Sequence, residues 1–429
     1  MRRLIKQVLR HPRLTAYLKS IYNEGKAEGL GGSGPETHLA EASPITCRLS
    51  SFSQLRLNLL VPALDIQHLF GGIATALSLF EALVAEVGLD HVRIILTDQQ
   101  RFEHANNPAF ADWDVRTLDQ EDRPGRCIVA AGDRHARSLA VGPGDRFVAT
   151  AWWTALSARA IQDWQAATCQ LPQPAKYLYL IQDYEPGFYP WSSRYALAES
   201  TYHDAERFMA LFNTSLLQRY FIQMGYRFPQ AHAFEPVLHP SLRQQRKRLQ
   251  GQAKERRLLV YGRPGVARNA FELTVMALRA WVARGGGAGW RFVSAGEAHP
   301  AIQLGPDCQL TALGKLSLEQ YASELSRAAV GLSLMISPHP SYPPLEMAAF
   351  GLQVVSNSYG PKDLSELHPA ILTVQPLTPA AIAEKLDLAA QRAFLEHQPD
   401  VIHGRAWQRY VDEDGGFDAV AAHLLRQWL

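Results

Sequence analysis

Two series of short apolar runs, each run followed by a helix-like stretch, constrain the fold of this chain more than any other feature. The first series has strand candidates at RLNLLVP, VRIILT, CIVAAG, RFVAT, KYLYLIQD and RFMALFN. The second restarts at RRLLVYG and continues through WRFVSAG, CQLTALG, VGLSLMI, LQVVSN and AILTVQP. This is the βα rhythm of parallel sheets. The stretch between the series, Phe234 to Lys254, holds Pro236, Pro240 and the basic run RQQRKR, which reads as a solvated helix near a linker. The expectation is an α/β protein of two Rossmann-like, doubly wound domains facing each other across a cleft. Residues 53–233 form the first and 234–402 the second. Helical spacing at Trp407, Tyr410, Val411, Phe417, Val420, Leu424 and Leu425 predicts that residues 403–429 return to brace the first.

A length of 429 residues suits two large domains. The 47% apolar and 20% charged balance is that of a globular protein, and a net charge of +2 excludes no partner. Basic residues cluster at the termini and linker without interleaved aromatics, so nucleic acid is not an expected partner. The four cysteines, Cys47, Cys127, Cys169 and Cys308, are far apart and show no metal spacing, which fits free thiols in a reducing compartment. Residues 1–52 read as a basic amphipathic helix (1–24) and a Gly/Glu/Ser-rich linker. That helix either lies on an anionic membrane surface or packs on protein, including a second copy in a homodimer. With no apolar run of signal or spanning length, a cytoplasmic location is expected, if anything peripheral on the inner face of the membrane.

Open α/β sheets bind ligands beyond the carboxyl ends of their strands, which directs attention to the residues just after each strand. In GLSLMISPHPSYPPLEMAAFGLQVVSN (331–357) a strand runs through a Pro-rich turn into an apolar helix. Pro343 and Pro344 suit that turn, leaving the amides of Leu345, Glu346 and Met347 to face an anion at the helix start. Glu346 would accept from a sugar hydroxyl, and Ser341 and Tyr342 line the same turn. The alternative is an ordinary strand-turn-helix unit with a dipole-matched acid. Gly71 and Gly72 after the first strand admit a phosphate or sugar close to the backbone, or simply make a tight turn; His68 and Asp65 lie beside them. Arg263 and Arg268 follow the first strand of the second series around a Pro-Gly turn. They either clamp the two phosphates of a nucleotide diphosphate or decorate a surface loop. Lys315 is a further phosphate or base contact, or a solvent-facing lysine. TAWWTA (150–155), QDYEPGFYPW (182–191) and FNTS (212–215) set aromatics beside short polar groups, a surface suited to sugars. Trp152 is its aromatic candidate, with a core tryptophan the alternative, and Asp183 and Glu185 are its strongest carboxylates.

Taken together, these pieces resemble a GT-B glycosyltransferase of glycosyltransferase family 4, over about residues 55 to 429. Gly71-Gly72, Arg263 with Arg268 in place of a lysine, and Glu346 occupy that family's motif positions. IQDYEPGFYPW, AWWTA and LMISPHPSYPPLEMAAFG look more closely like the bacterial rhamnosyltransferases that build S-layer and O-antigen glycans from dTDP-L-rhamnose. One position departs: Pro338, followed by His339, stands where the family usually places a second Glu. The resemblance implies transfer of L-rhamnose from a dTDP-sugar donor to a glycan or lipid-linked oligosaccharide acceptor, without a metal or other cofactor and with retention. Arg263, Arg268 and Lys315 would stabilise the departing diphosphate, with His339 reaching the donor sugar or β-phosphate. An inverting course would need a base from Asp183, Glu185 or His68. A non-catalytic glycan- or nucleotide-binding protein and a nucleotide-sugar epimerase of similar fold are the competing readings.

Overall fold

The computed structural model describes residues 38–65, 71–394, 404–413 and 416–429. The chain divides into two compact units, Met1–Ser43 and Pro44–Leu429. In the first, Ala40–Ala42 make one 3-10 turn; the expected helix over 1–24 and His68 lie outside the described residues. Everything that follows concerns the second unit.

In the first half of that unit the elements are β1 (Cys47–Leu49), β2 (Arg56–Val61), α1 (Gly71–Val87), β3 (Val92–Leu96), β4 (Asp114–Thr117), β5 (Arg126–Ala130), β6 (Leu139–Val141), β7 (Asp145–Ala149), α2 (Trp152–Thr168), β8 (Tyr177–Ile181), α3 (Ser193–Ser200), β9 (Phe208–Asn213), α4 (Ser215–Gln223) and β10 (Ala231–Phe234). Among the described residues, eight of these strands form one parallel sheet in the order β10-β9-β8-β7-β2-β3-β5-β4, while β1 and β6 pair separately. Strand sequences apolar at every position are buried on both faces. Phe208, Ala210 and Phe212 of β9 enter one core cluster, Met209 and Leu211 the other.

The second half contains α5 (Pro240–Arg248), β11 (Glu255–Gly262), α6 (Phe271–Ala283), β12 (Arg291–Gly296), β13 (Ile302–Gly305), β14 (Cys308–Gly314), α7 (Leu318–Arg327), β15 (Ala328–Leu332), α8 (Tyr342–Ala349), β16 (Gln353–Asn357), β17 (Ile371–Val374), α9 (Pro379–Arg392), α10 (Arg405–Asp412) and α11 (Asp418–Trp428). Its sheet runs β13-β14-β12-β11-β15-β16-β17, parallel apart from the β13–β14 pair. All the strand candidates read from sequence are strands. Those not foreseen are β1, β4, β6, β10 and β13, short or lying at a sheet edge.

Each sheet reverses its winding direction once, between β2 and β7 in the first and between β11 and β15 in the second. A crevice opens beyond the strand ends at such a point, which sets where the site must lie. The tail divides its allegiance: Trp407, Tyr410 and Val411 of α10 join the second domain's core, and only α11 returns to the first. There Ala421, Leu424, Leu425 and Trp428 are buried with α1, and the Trp428 indole donates to the Lys176 carbonyl at 2.7 Å.

Candidate functional site

The site is built from the carboxyl ends of β8 and β9 on one side and of β11, β15 and β16 on the other. Asp183, two residues beyond β8, is its hub. One carboxylate oxygen accepts from the Tyr184 amide at 2.8 Å and, across the cleft, from the Ser337 hydroxyl. The other lies 3.6 Å from Nε of Arg268, an N–H that has no hydrogen-bond partner. The Arg268 guanidinium also rests over the Phe188 ring at 4.3 Å, a cation–π contact between the domains. Two bonds tie the Arg268 loop to the segment after β15: the Ile336 backbone amide donates to the Arg268 carbonyl at 2.7 Å, and the Asn269 side-chain amide donates to the Leu334 carbonyl at 3.1 Å.

His339 is buried beside this hub. Its Nδ1 accepts from the Ser341 amide at 3.1 Å, so the ring proton sits on Nε2. Burial pulls the imidazole down to about 4, against the Asp183 carboxylate, which favours the charged form. His339 is therefore a neutral hydrogen-bond donor at physiological pH. Lys362, five residues past β16, is fully buried and donates to the Met335 carbonyl at 2.7 Å. Burial lowers its ammonium to about 7, again opposed by Asp183.

Ser341 and Tyr342 open α8. Ser341 has φ +67° and ψ 139°, rare for a residue with a Cβ, and Thr214, before α4 on the opposite domain, has φ +108°. Such backbone costs about 1–3 kcal/mol and concentrates where function requires it. The residues beside these two meet: Asn213 donates to the Tyr342 hydroxyl at 2.9 Å, closing the cleft. Because α8 begins at Tyr342, Pro343 and Pro344 fall inside its first turn and remove two of the amides that a helix start would offer. Leu345, 2% exposed, belongs to the core. The expected cradle of amides at Leu345, Glu346 and Met347 is thereby corrected: Glu346 and Met347 lie past the first turn, where amides bond within the helix. Gly331 in β15 permits this packing, since a Cβ there would come within 2.5 Å of the Met347 sulfur.

Glu346 faces the phenols of Tyr261 and Tyr321. Burial raises its carboxyl to about 7, and the Tyr321 hydroxyl draws it back down. Arg263 lies at the end of β11 with Nε 3.3 Å from Glu297, which also accepts from the Gly265 amide at 2.7 Å. Lys315 is exposed at the end of β14, two strands out from β11. The glycines after β2 are approached by protein: Gly71 by the Tyr342 ring and Gly72 by the Gln182 amide, 3.0 Å from where a Cβ would stand.

Two sequence candidates prove to be supports. Trp152 is fully buried, its indole donating to the Tyr189 hydroxyl at 3.0 Å, so it has no face to offer a sugar. Glu185, buried, accepts from the Trp152 amide at 2.5 Å and caps α2; burial raises it to about 8. Exposed aromatics do occur in that region, at Phe188 and at Trp191, which is 95% exposed. Sequence reasoning reached Asn213 only as part of the FNTS segment and Ser337 only as part of the 331–357 stretch, and it missed Lys362. The strand-end rule applied to β16 would have found Lys362.

Two doubly wound domains whose ligand-side strand ends face each other define the GT-B fold. Solved structures agree: one from Anabaena, HepE in complex with UDP and glucose, is 13% identical with a TM-score of 0.53, covering 87% of this chain and 99% of that one. Sucrose-phosphate synthase from Thermosynechococcus elongatus is 15% identical with a TM-score of 0.51, covering 87% and 98%. The WsaF N-terminal domain matches residues 56–215 and the WsaF C-terminal domain residues 256–387, so the chain carries both domains in order and belongs to the WsaF family. An O-antigen biosynthesis protein, RfbC, from Myxococcus xanthus is 31% identical over 300 residues, 66% of this chain but 23% of that protein. The chain thus spans about a quarter of the length of the curated relative it matches.

Proposed function

We propose that this protein is a glycosyltransferase that moves a sugar, L-rhamnose from dTDP-L-rhamnose, to a growing cell-surface polysaccharide or lipid-linked glycan. The observation that carries this reading is the convergence of Arg263, Arg268, His339 and Glu346 from the second domain at the strand ends that face Asp183. The WsaF domains and the O-antigen relative support a role in glycan assembly. The sugar rests on the resemblance of the IQDYEPGFYPW and SPHPSYPPLEMAAFG segments. Glu346, on the first turns of α8, holds the nucleotide ribose. Arg268 meets the diphosphate with its unsatisfied Nε–H, while Arg263, oriented by Glu297, supplies the second charge as the sugar–phosphate bond breaks. His339 contributes a neutral Nε2–H to a sugar hydroxyl or the β-phosphate, in the place of the family's second Glu. Phe188 and Trp191 form the acceptor's stacking surface. Among the described residues no helix is long and apolar enough to cross a membrane, and membrane contact through residues 1–24 and a cytoplasmic site of action are part of the same proposal.

A thermal-shift screen against dTDP, UDP, GDP and their sugars tests the donor, since a ligand that binds only the folded state raises the melting temperature. The largest shift is expected with dTDP-L-rhamnose, accompanied by release of dTDP when acceptor is added. A preference for UDP or GDP would overturn the rhamnose assignment. Failure of any nucleotide sugar to be turned over would sink the transferase reading.

A further inference from the structure

Lys362 is a buried cation of the cleft that the donor reading leaves unused. Its ammonium donates to the Met335 carbonyl at 2.7 Å, and that carbonyl also accepts from Asn357 at 2.9 Å, so the lysine is not its sole support. The negative group beside it is Asp183, from the first domain, and the same carboxylate faces Arg268 and Ser337 of the second domain, with His339 next to it. The fit of that carboxylate is incomplete. Ser337 reaches it, but Arg268 stops at 3.6 Å with its Nε–H unsatisfied. A buried N–H without an acceptor leaves room for one more acceptor oxygen than this carboxylate supplies. A phosphate has more acceptor oxygens, spread more widely, than a carboxylate.

We propose that Arg268, Ser337 and Lys362 form an anion pocket that the Asp183 carboxylate fills in this structure, and that a phosphate of the diphosphate ligand takes its place. Lys362 is then a phosphate-binding residue and Asp183 its internal competitor. The inference rests on the donor-site reading above, and it deepens that reading by naming what a donor must displace to enter.

Inorganic pyrophosphate, titrated calorimetrically, reads the pocket whether or not the protein turns over a nucleotide sugar. Asp183→Asn keeps the shape and removes the competing charge, so affinity should rise roughly tenfold, about one charge-assisted hydrogen bond. Lys362→Gln keeps a donor for the Met335 carbonyl and removes the ammonium. In that background the gain from Asp183→Asn should shrink, since only Arg268 and Ser337 remain to profit from it. An undiminished gain in the Lys362→Gln background would mean only that a distant negative charge had been removed, and would overturn the proposal. So would an Asp183→Asn protein that binds pyrophosphate no better than the parent. If Lys362→Gln fails to fold, as judged by near-UV circular dichroism, Ser337→Ala takes its part in the same cycle, with a reduced gain again expected and an undiminished one fatal. Intact coupling without turnover of dTDP-L-rhamnose would sink the transferase reading and leave the pocket standing.

Discussion

Arg263 and Arg268 differ in how they are held. Arg263 is oriented by Glu297 on its own domain, whereas Arg268 is drawn across the cleft by Asp183 and Phe188. In the proposed reaction each supplies charge where a diphosphate departs, so Arg263→Ala and Arg268→Ala are each expected to lower turnover by about tenfold or more in single-turnover kinetics. Unchanged rates would remove the residue from the site. His339 allows a sharper test. With its pKa near 4 and Nδ1 occupied by the Ser341 amide, its ring should show the Nε2–H tautomer by nitrogen NMR and no titration above about pH 5. A protonation step near pH 6.5 would disprove the assignment. At this scale the position of a residue was legible where it follows its own strand, as with Arg263 and Arg268 after β11. It misled at Trp152 and Glu185, which follow strands equally well but turn inward, since direction depends on a helix that packs above them.

At the scale of elements, the same Glu185 ties the loop after β8 to the start of α2. Its raised pKa means that the folded protein binds a proton the unfolded chain releases, so this burial costs stability as pH climbs from about 4.3 to about 8. Glu346 adds a slope of the same sign up to about 7. Glu185→Gln, able to present its amide oxygen to the Trp152 amide, should flatten the melting temperature's decline across that window without abolishing it. An unaltered pH profile would show that the carboxyl ionises freely. The strands β2, β3 and β7 carry the opposite case at their amino ends. Arg56 binds Asp145 through 2.7 and 2.9 Å bonds, Asn58 donates to the same carboxylate at 2.9 Å, and Arg93 stands 3.3 Å away. Asp145 is held below its ordinary pKa by these arginines against burial, so its stabilisation is complete above about pH 4 and is lost as pH falls further. Asp145→Ala leaves Arg56 and Arg93 to share the single carboxylate of Asp122, 2.8 and 3.7 Å away, and should cost about 3 kcal/mol in urea unfolding. The alternating apolar runs made these strands readable. The network did not show in sequence because its members are 89 residues apart and meet only through parallel register.

For the whole molecule, tandem winding was legible because each sheet repeats one local pattern. The closure between the sheets was not. Asn213 meeting Tyr342, or Asp183 meeting Ser337, depends on how two separately folded surfaces are brought together, and no periodicity encodes that. The returning helix was visible as helical spacing, but its division into α10 on one domain and α11 on the other was not. Removing residues 416–429 would expose the faces of α1 that α11 covers and orphan the Lys176 carbonyl. The truncated protein should melt lower, with the loss confined to the first domain when hydrogen exchange is mapped peptide by peptide. Uniform loss across both domains would argue that they unfold as one.

That returning helix also fixes how the cleft can move. Since the chain leaves the first domain at Phe234 and comes back before α11, the second domain is a guest spliced into the first, moored by two lines rather than one. Phe234 and Phe417, one on each line, pack edge to face with centroids 4.9 Å apart, and Arg243 clasps the Glu413 carbonyl beside them. A single tether would let the domains swivel freely; a doubled one, lashed together at its middle, bends like a door and resists being wrung. The surfaces that carry Asp183 and Arg268 are therefore held in register with each other by two lines of chain rather than one.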